Sequence, residues 1–303
     1  MRPLLLCCQV GRVVSVFGSF SASRSKLVTQ VATVGHQCYF RKTMHYQTEE
    51  RGQANSPDYR IYFRTSEGTY ISPFHDIPLL AETEEEINVP KKLKRNESEV
   101  LFNMVVEVPR WSNAKLETWE DPDHKDNETK CCGDNDPIDV CEIGTKVCFP
   151  GQVIQVKVLG ILAMIDEGEM DWKVIAINVK DPDAQNLNSI EDVRRSRPGH
   201  LEATVDWFRK YKVPDGKPEN QFGFNGQFRD KDFAIEIIKS THEHWRALVE
   251  KQTNSGGIAC ENTTCSKSPF KCSTNETRDV VLSAPAFGNA LPVSSEVDKW
   301  HFV

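Results

Sequence analysis

The sequence predicts an α+β protein built around an antiparallel sheet or barrel, and three observations carry that prediction. Strand-like runs crowd residues 59–179, helical periodicity starts only after residue 189, and an acidic turn joins two long apolar runs. Strands first and helices afterwards is the order of an α+β domain rather than of repeated βαβ units. Tyr59–Phe63 and Gly68–Ser72 alternate like the arms of a hairpin around Ser66, Glu67 and Gly68. Leu101–Val108 reads as a strand closed by Pro109, which has no N–H to give to a ladder. Gln152–Ile165 and Trp172–Val179 are two β-rich runs on either side of the turn Asp166–Asp171. Ser189 followed by Asp192 opens a short helix as a capping pair. Leu201–Tyr211 is a second helix. Phe233–Val249 is the longest, with Ala234, Ile237, Ile238, Thr241, Trp245, Leu248 and Val249 recurring on one face. Ala81–Asn96, acidic and then basic, reads as a solvated loop.

Composition narrows the class. The chain has 303 residues, 39% hydrophobic and 27% charged, which is the make-up of a soluble globular domain. No apolar run approaches the roughly 18 residues of a membrane span. Residues 1–48 hold Arg2, Arg12, Arg24, Lys26, Arg41 and Lys42 and no acid, with abundant Ser and Val. That is the composition of a mitochondrial targeting segment, assigned to residues 1–45. A secretory signal is excluded because the apolar stretch Leu4–Cys8 stops at Gly11-Arg12. Without those six cations the formal charge of −7 becomes −13. Such an acidic body argues against nucleic acid and anionic membrane as partners, and admits an anionic substrate only with metal cations or a local basic cluster. The ten cysteines include no CxxC pair and read as reduced thiols, in keeping with the mitochondrial matrix. Residues 46–250 form the main domain. Residues 251–303, rich in Ser, Thr, Asn and Gly, read as a tail with little structure of its own.

The chemistry concentrates in Gly133-Asp-Asn-Asp-Pro-Ile-Asp-Val140. In extended backbone Asp134 and Asp136 project to one face, and Asp139 lies just past the rigid Pro137. Carboxylates this close repel one another unless cations neutralise them, and hard divalent ions with oxygen ligands do so. An EF-hand is ruled out: counting from Asp134, its fifth, sixth and twelfth positions hold Ile138, Asp139 and Thr145. Asp171 and Lys173 share a strand face, Lys115 and Glu117 repeat that spacing, and Tyr211-Lys212 closes a helix. Each alone is an ordinary solvated pair. Together they supply carboxylates to hold ions and orient water, and lysines with a phenol to cradle phosphate oxygens.

FHDIPL (Phe74–Leu79), NMVVEVPRW (Asn103–Trp111), NAKLE (Asn113–Glu117), GDNDPIDVCEIG (Gly133–Gly144), IDEGEMDWKVIAI (Ile165–Ile177) and WFRKYKVPDGKPENQF (Trp207–Phe222) resemble the family I soluble inorganic pyrophosphatases, the eukaryotic mitochondrial form in particular. The resemblance implies an OB-like antiparallel barrel of about five strands with peripheral helices. It implies that 46–250 is the catalytic domain, that the reaction is Mg²⁺-dependent hydrolysis of pyrophosphate to two phosphates, and that the protein is a homodimer. Residue by residue, Asp134, Asp139 and Asp171 match metal ligands, and Glu117 and Asp166 match ligands of further metals. Asp136 matches the carboxylate that activates the attacking water. Lys115, Lys173, Tyr211 and Lys212 match phosphate contacts, and Glu107 a supporting carboxylate.

The chain departs from this pattern at one point. Glu117 runs directly into Thr118-Trp119-Glu120-Asp121-Pro122, where the family carries roughly forty further residues, enough for several strands. That block holds a phosphate-binding Arg and two Tyr, and Arg110, next to Pro109, is a poor substitute. The pattern is that of a splice-type isoform lacking barrel strands. The alternative to an active enzyme is therefore a catalytically impaired isoform that binds metal or phosphate or pairs with a complete subunit. An OB-type nucleic-acid binder would need a basic groove with stacking aromatics, which the acidic body opposes.

Overall fold

The computed structural model describes residues 9–12, 46–81, 99–110 and 137–295, with backbone pairing alone for Gln9–Arg12. The loop 82–98, Lys115, Glu117, Asp134, Asp136 and the junction after Glu117 lie outside the described residues, as does most of the segment 1–45.

The main sheet is curled and built on a long hairpin, β7 (Val153–Asp166) and β8 (Glu169–Asn178). The turn between them is tighter than the sequence suggests. Asp166 pairs with Glu169 across Glu167 and Gly168, both at positive φ, so Asp166 and Asp171 end up in strands, not in a six-residue turn. Two successive left-handed residues match the right-handed twist of the flanking strands, and Gly168 adopts its φ of 98° without steric cost. A bulge between Val158 and Gly160 bends β7.

Strand β5 (Leu101–Val105) pairs antiparallel with β7, as do the two-residue strands β9 (Gln221–Phe222) and β10 (Arg229–Asp230). One pair departs from the antiparallel expectation: β6 (Asp139–Glu142) runs parallel to β8. The chain leaves β6 through a loop over residues 143–152 and re-enters one strand further on, which reverses the sense of that pairing. The loop is locked at its start by Glu142, fully buried, whose Oε1 accepts from the amides of Gly144 at 2.7 Å and Asn178 at 2.9 Å. A Cβ on Gly144 would stand 2.5 Å from that oxygen and 2.7 Å from Asp181 Oδ2, so the close approach requires glycine.

The outer edge of β6 is covered by β1 (Gln9–Arg12), with Arg12 opposite Asp139. This strand falls inside the segment read as a targeting sequence. A smaller sheet, β2 (Gln47–Arg51), β3 (Arg60–Arg64) and β4 (Tyr70–Ile71), contains the expected hairpin, with Phe63 opposite Ile71.

Helices cover the main sheet on both faces. Ala234 and Ile238 of α4 (Lys231–Val249) pack on Phe102, Met104, Val156, Val158 and Val174. On the other face Leu159, Leu162, Met164 and Ile175 meet Ile190 and Val193 of α2 (Ile190–Ser196) and Leu201 and Phe208 of α3 (His200–Lys210). Each fully buried aliphatic side chain contributes about 1.5–3 kcal/mol, which is why β7 and β8 read as near-continuous apolar runs. The capping pair forms as expected, Ser189 Oγ accepting from Asp192 N.

The tail is more ordered than its composition suggests. Residues 251–295 carry a helix, α5 (Thr274–Ser283), opened by a full capping box between Ser273 and Glu276, and their irregular remainder is held onto the body. The anchor is α1 (Pro73–Asp76). Asp76, buried, accepts from the amides of Ser72, Thr263 and Thr264 and from Thr264 Oγ1, and His75 Nε2 meets Ala259 O at 3.0 Å. Low apolar content predicts that the tail cannot make a core of its own. It does not predict that the body supplies hydrogen-bond partners.

A candidate metal- and phosphate-binding site

Three strands and one helix end converge where the sequence places its acids. The parallel register sets Asp139 of β6 directly beside Lys173 of β8, and the pleat puts Asp171 on the same face as Lys173. The Lys173 ammonium donates to Asp139 Oδ2 and, at 2.5 Å, to Asp171 Oδ2. It is almost wholly buried, its side chain 3% exposed. Burial alone would lower its pKa, but the two carboxylates outweigh that and hold it well above the ordinary lysine value. Asp139 and Asp171 thus converge on a single cation.

Beside this triad, Asp166 at the end of β7 accepts from Lys212. Its other oxygen, Oδ1, is buried with no hydrogen-bond partner. Tyr211 caps α3, and burial raises its pKa against the opposing pull of Lys173 and Lys212, so the phenol stays protonated as a donor. Lys212 is raised as well: burial opposes its charge, but the hydrogen bond to Asp166 prevails.

Three residues missed by the sequence reading position this arrangement. Phe208 lies one helical turn before Tyr211, its ring centroid 5.4 Å from Lys173 Nζ and edge-on to Tyr211 at 5.9 Å. Trp207 stacks on Tyr211 at 4.9 Å. Asn220, buried, donates through Nδ2 to Phe208 O at 3.0 Å and through its amide to Arg209 O at 2.9 Å, closing the end of α3. For the two aromatics the signal was present as a spacing of three and four residues before Tyr211.

Glu107 lies two residues past the Val105–Val153 pair. Arg110 braces the loop after β6, its guanidinium donating to Gly144 O at 2.5 Å and Thr145 O at 3.4 Å. Lys115, Glu117, Asp134 and Asp136 lie outside the described residues. Among the described residues no three His, Cys, Asp or Glu side chains stand close enough to hold one metal ion. The donor set still suits a hard cation: a carboxylate pair gathered on one positive charge, and an orphaned buried carboxylate oxygen at Asp166. No described helix is long and apolar enough to cross a membrane.

The family model for inorganic pyrophosphatase matches residues 116–246. A human inorganic pyrophosphatase is 53% identical over 296 aligned positions, covering 84% of this chain and 97% of the relative. Because 84% of 303 residues is about 254, that alignment spans roughly forty positions more than this chain supplies, the size of the block expected after Glu117. The mouse protein named inorganic pyrophosphatase 2, mitochondrial, is 48% identical, with 85% of this chain and 91% of the relative covered. Among solved structures, the pyrophosphatase of Schistosoma japonicum superposes with a TM-score of 0.66 at 39% identity, covering 85% of this chain and all of that one. A truncated vacuolar soluble pyrophosphatase of Trypanosoma cruzi in complex with PPi gives 0.55 at 34% identity, covering 75% of this chain and 99% of that one. With more than half of its aligned residues shared with a relative matched almost end to end, on a fold that the solved members also adopt, this chain belongs to the inorganic pyrophosphatase family.

Proposed function

We propose that this chain hydrolyses inorganic pyrophosphate to two phosphates with the help of Mg²⁺ in the mitochondrial matrix. The observation that carries the reading is the convergence of Asp139 and Asp171 on one buried cation, with Asp166 and Lys212 alongside. Asp139, Asp171 and Asp166 would hold magnesium together with Asp134 and Glu117, whose oxygens complete the acidic set in the sequence. Bound Mg²⁺ supplies charge neutralisation of the substrate and of the leaving phosphate, and acidifies a water. The chain's own groups do the rest. Asp136 takes the proton from the attacking water. Lys173, Lys212 and Lys115 bring fixed positive charge to phosphate oxygens, and Tyr211, kept protonated by burial, donates a hydrogen bond to one. An acidic protein can thus accept a polyanion, because the cations reverse the local field.

The matrix assignment rests on the acid-free, Arg- and Ser-containing segment 1–45 and on the compartment named for the mouse relative. A homodimer follows from the family resemblance. The test is phosphate release from pyrophosphate by the full 303-residue chain across a Mg²⁺ titration. Mg²⁺-dependent turnover is expected, with Asp136→Asn slower by about 10²–10⁴, the contribution of a positioned base. No phosphate release at saturating Mg²⁺ would overturn the activity and leave the impaired isoform in its place.

A further inference from the structure

Two of the chain's own cations already stand on the carboxylates assigned to metal. An ammonium has three N–H donors. Lys173 spends one on Asp139 and one on Asp171, and the Phe208 ring covers it at 5.4 Å. Lys212 spends one on Asp166, with the Tyr211 ring at 5.7 Å. These same two lysines are the ones offered to phosphate. With two of its three donors spent and its charge shared between two carboxylates, Lys173 meets a phosphate oxygen at less than full strength.

We propose that the site works by cation exchange: without metal, Lys173 and Lys212 neutralise Asp139, Asp171 and Asp166, and arriving divalent ions displace the two ammonium groups, freeing them for phosphate. The inference rests on the reading of this site as a metal-dependent pyrophosphatase and adds an order of events to it. Buried carboxylates cannot stand unneutralised, so in the absence of metal the lysines are held. A divalent ion carries twice the charge and accepts up to six oxygens, so it wins the carboxylates when present. The released ammonium groups then become unpaired charges in a half-buried pocket, and an incoming phosphate restores their partners. The orphaned Oδ1 of Asp166 shows a carboxylate half used by its lysine. Metal and phosphate therefore bind cooperatively, and the coupling is reciprocal: whatever factor the metal adds to phosphate affinity, phosphate adds to metal affinity. The exchange also keeps the phosphate-binding charges engaged until the ions that activate the water are in place.

The test is isothermal titration of Mg²⁺ into the metal-free full-length chain, with and without inorganic phosphate, for the wild type, Lys173→Met, Lys212→Gln and an Asp171→Asn control. Removing an internal competitor should tighten Mg²⁺ binding in the absence of phosphate by at least roughly fivefold, the lower end of ordinary coupling between sites. The gain in Mg²⁺ affinity that phosphate confers on the wild type should shrink towards nothing in the lysine variants, and Asp171→Asn should bind Mg²⁺ weakly. Lys173→Met removes the cation that two buried carboxylates share and so tests folding too. Lys212→Gln, at a partly exposed position, keeps the experiment decisive if that variant fails to fold. If the wild type shows no saturable Mg²⁺ binding, the pyrophosphatase reading falls and the exchange with it. If the wild type binds Mg²⁺ but neither lysine variant that folds binds it more tightly, the exchange alone is wrong.

Discussion

Replacing Asp76 by Ala should release the C-terminal segment from the body. The carboxylate accepts four donors in a buried position: Ser72 N at 2.9 Å, Thr263 N at 2.8 Å, Thr264 N at 2.7 Å and Thr264 Oγ1 at 2.7 Å. A hydrogen bond to a charged acceptor is worth about 1.5–3 kcal/mol net, and an amide left without a partner costs about 1–3 kcal/mol. Bonds sharing one acceptor are not additive, and water reaches the part-buried amides once the side chain is gone, so the expected loss is about 3 kcal/mol rather than the full sum. Asp76→Asn keeps one acceptor oxygen but turns an NH₂ towards the amides it must satisfy, and should recover little. The assay is urea unfolding at pH 7, read beside hydrogen exchange at Thr263 and Thr264. A change below about 1 kcal/mol, with both amides still protected, would refute the assignment of Asp76 as the anchor.

Two further predictions concern pH and the N-terminal strand. Trp245 Nε1 can only donate, and it bonds His75 Nδ1 at 2.9 Å, so the His75 proton sits on Nε2 and points to Ala259 O. Burial depresses the His75 pKa below 6.5, so the unfolded chain binds the extra proton more readily. The stability tied to its neutral form is present above about pH 6.5 and is lost as pH falls through that value towards the folded pKa. His200 and His242 are depressed too, also led by burial. His75→Gln should therefore flatten only part of the fall in thermal midpoint between pH 7.5 and 5.5, and an unchanged slope would exclude His75 as a contributor. Removing residues 1–45 takes β1 from the outer edge of β6 and leaves a row of unpaired backbone groups beside Asp139. The truncated chain should run as larger species than the full chain in size-exclusion chromatography. Identical elution would show that β1 does not guard that edge.

Local chemistry was legible in the sequence wherever it is written in a short stretch. The two long strands, the capping at Ser189, the hairpin after Tyr59 and the three main helices follow from period, propensity and turn residues, and each depends on near neighbours. The pairing of Asp171 with Lys173 was likewise readable, because a pleat of period two puts them on one face. The tail misled because composition reports what a segment can bury alone, whereas Asp76 and His75 supply its partners from nearly 190 residues away.

What the sequence by itself determined is the inventory: acids in a tight run, a lysine two residues from an aspartate, a Tyr-Lys pair at a helix end, and the motifs that mark the family. What only the tertiary structure decided is who neutralises whom. Asp139 and Lys173 lie 34 residues apart, and Lys212 and Asp166 lie 46 apart. Their meeting depends on β6 joining β8 in parallel, a register chosen by the loop after β6 with its buried Glu142 and by burial on both faces of the sheet. Charge pairing of that kind is a property of strand order, and no local pattern of residues encodes strand order.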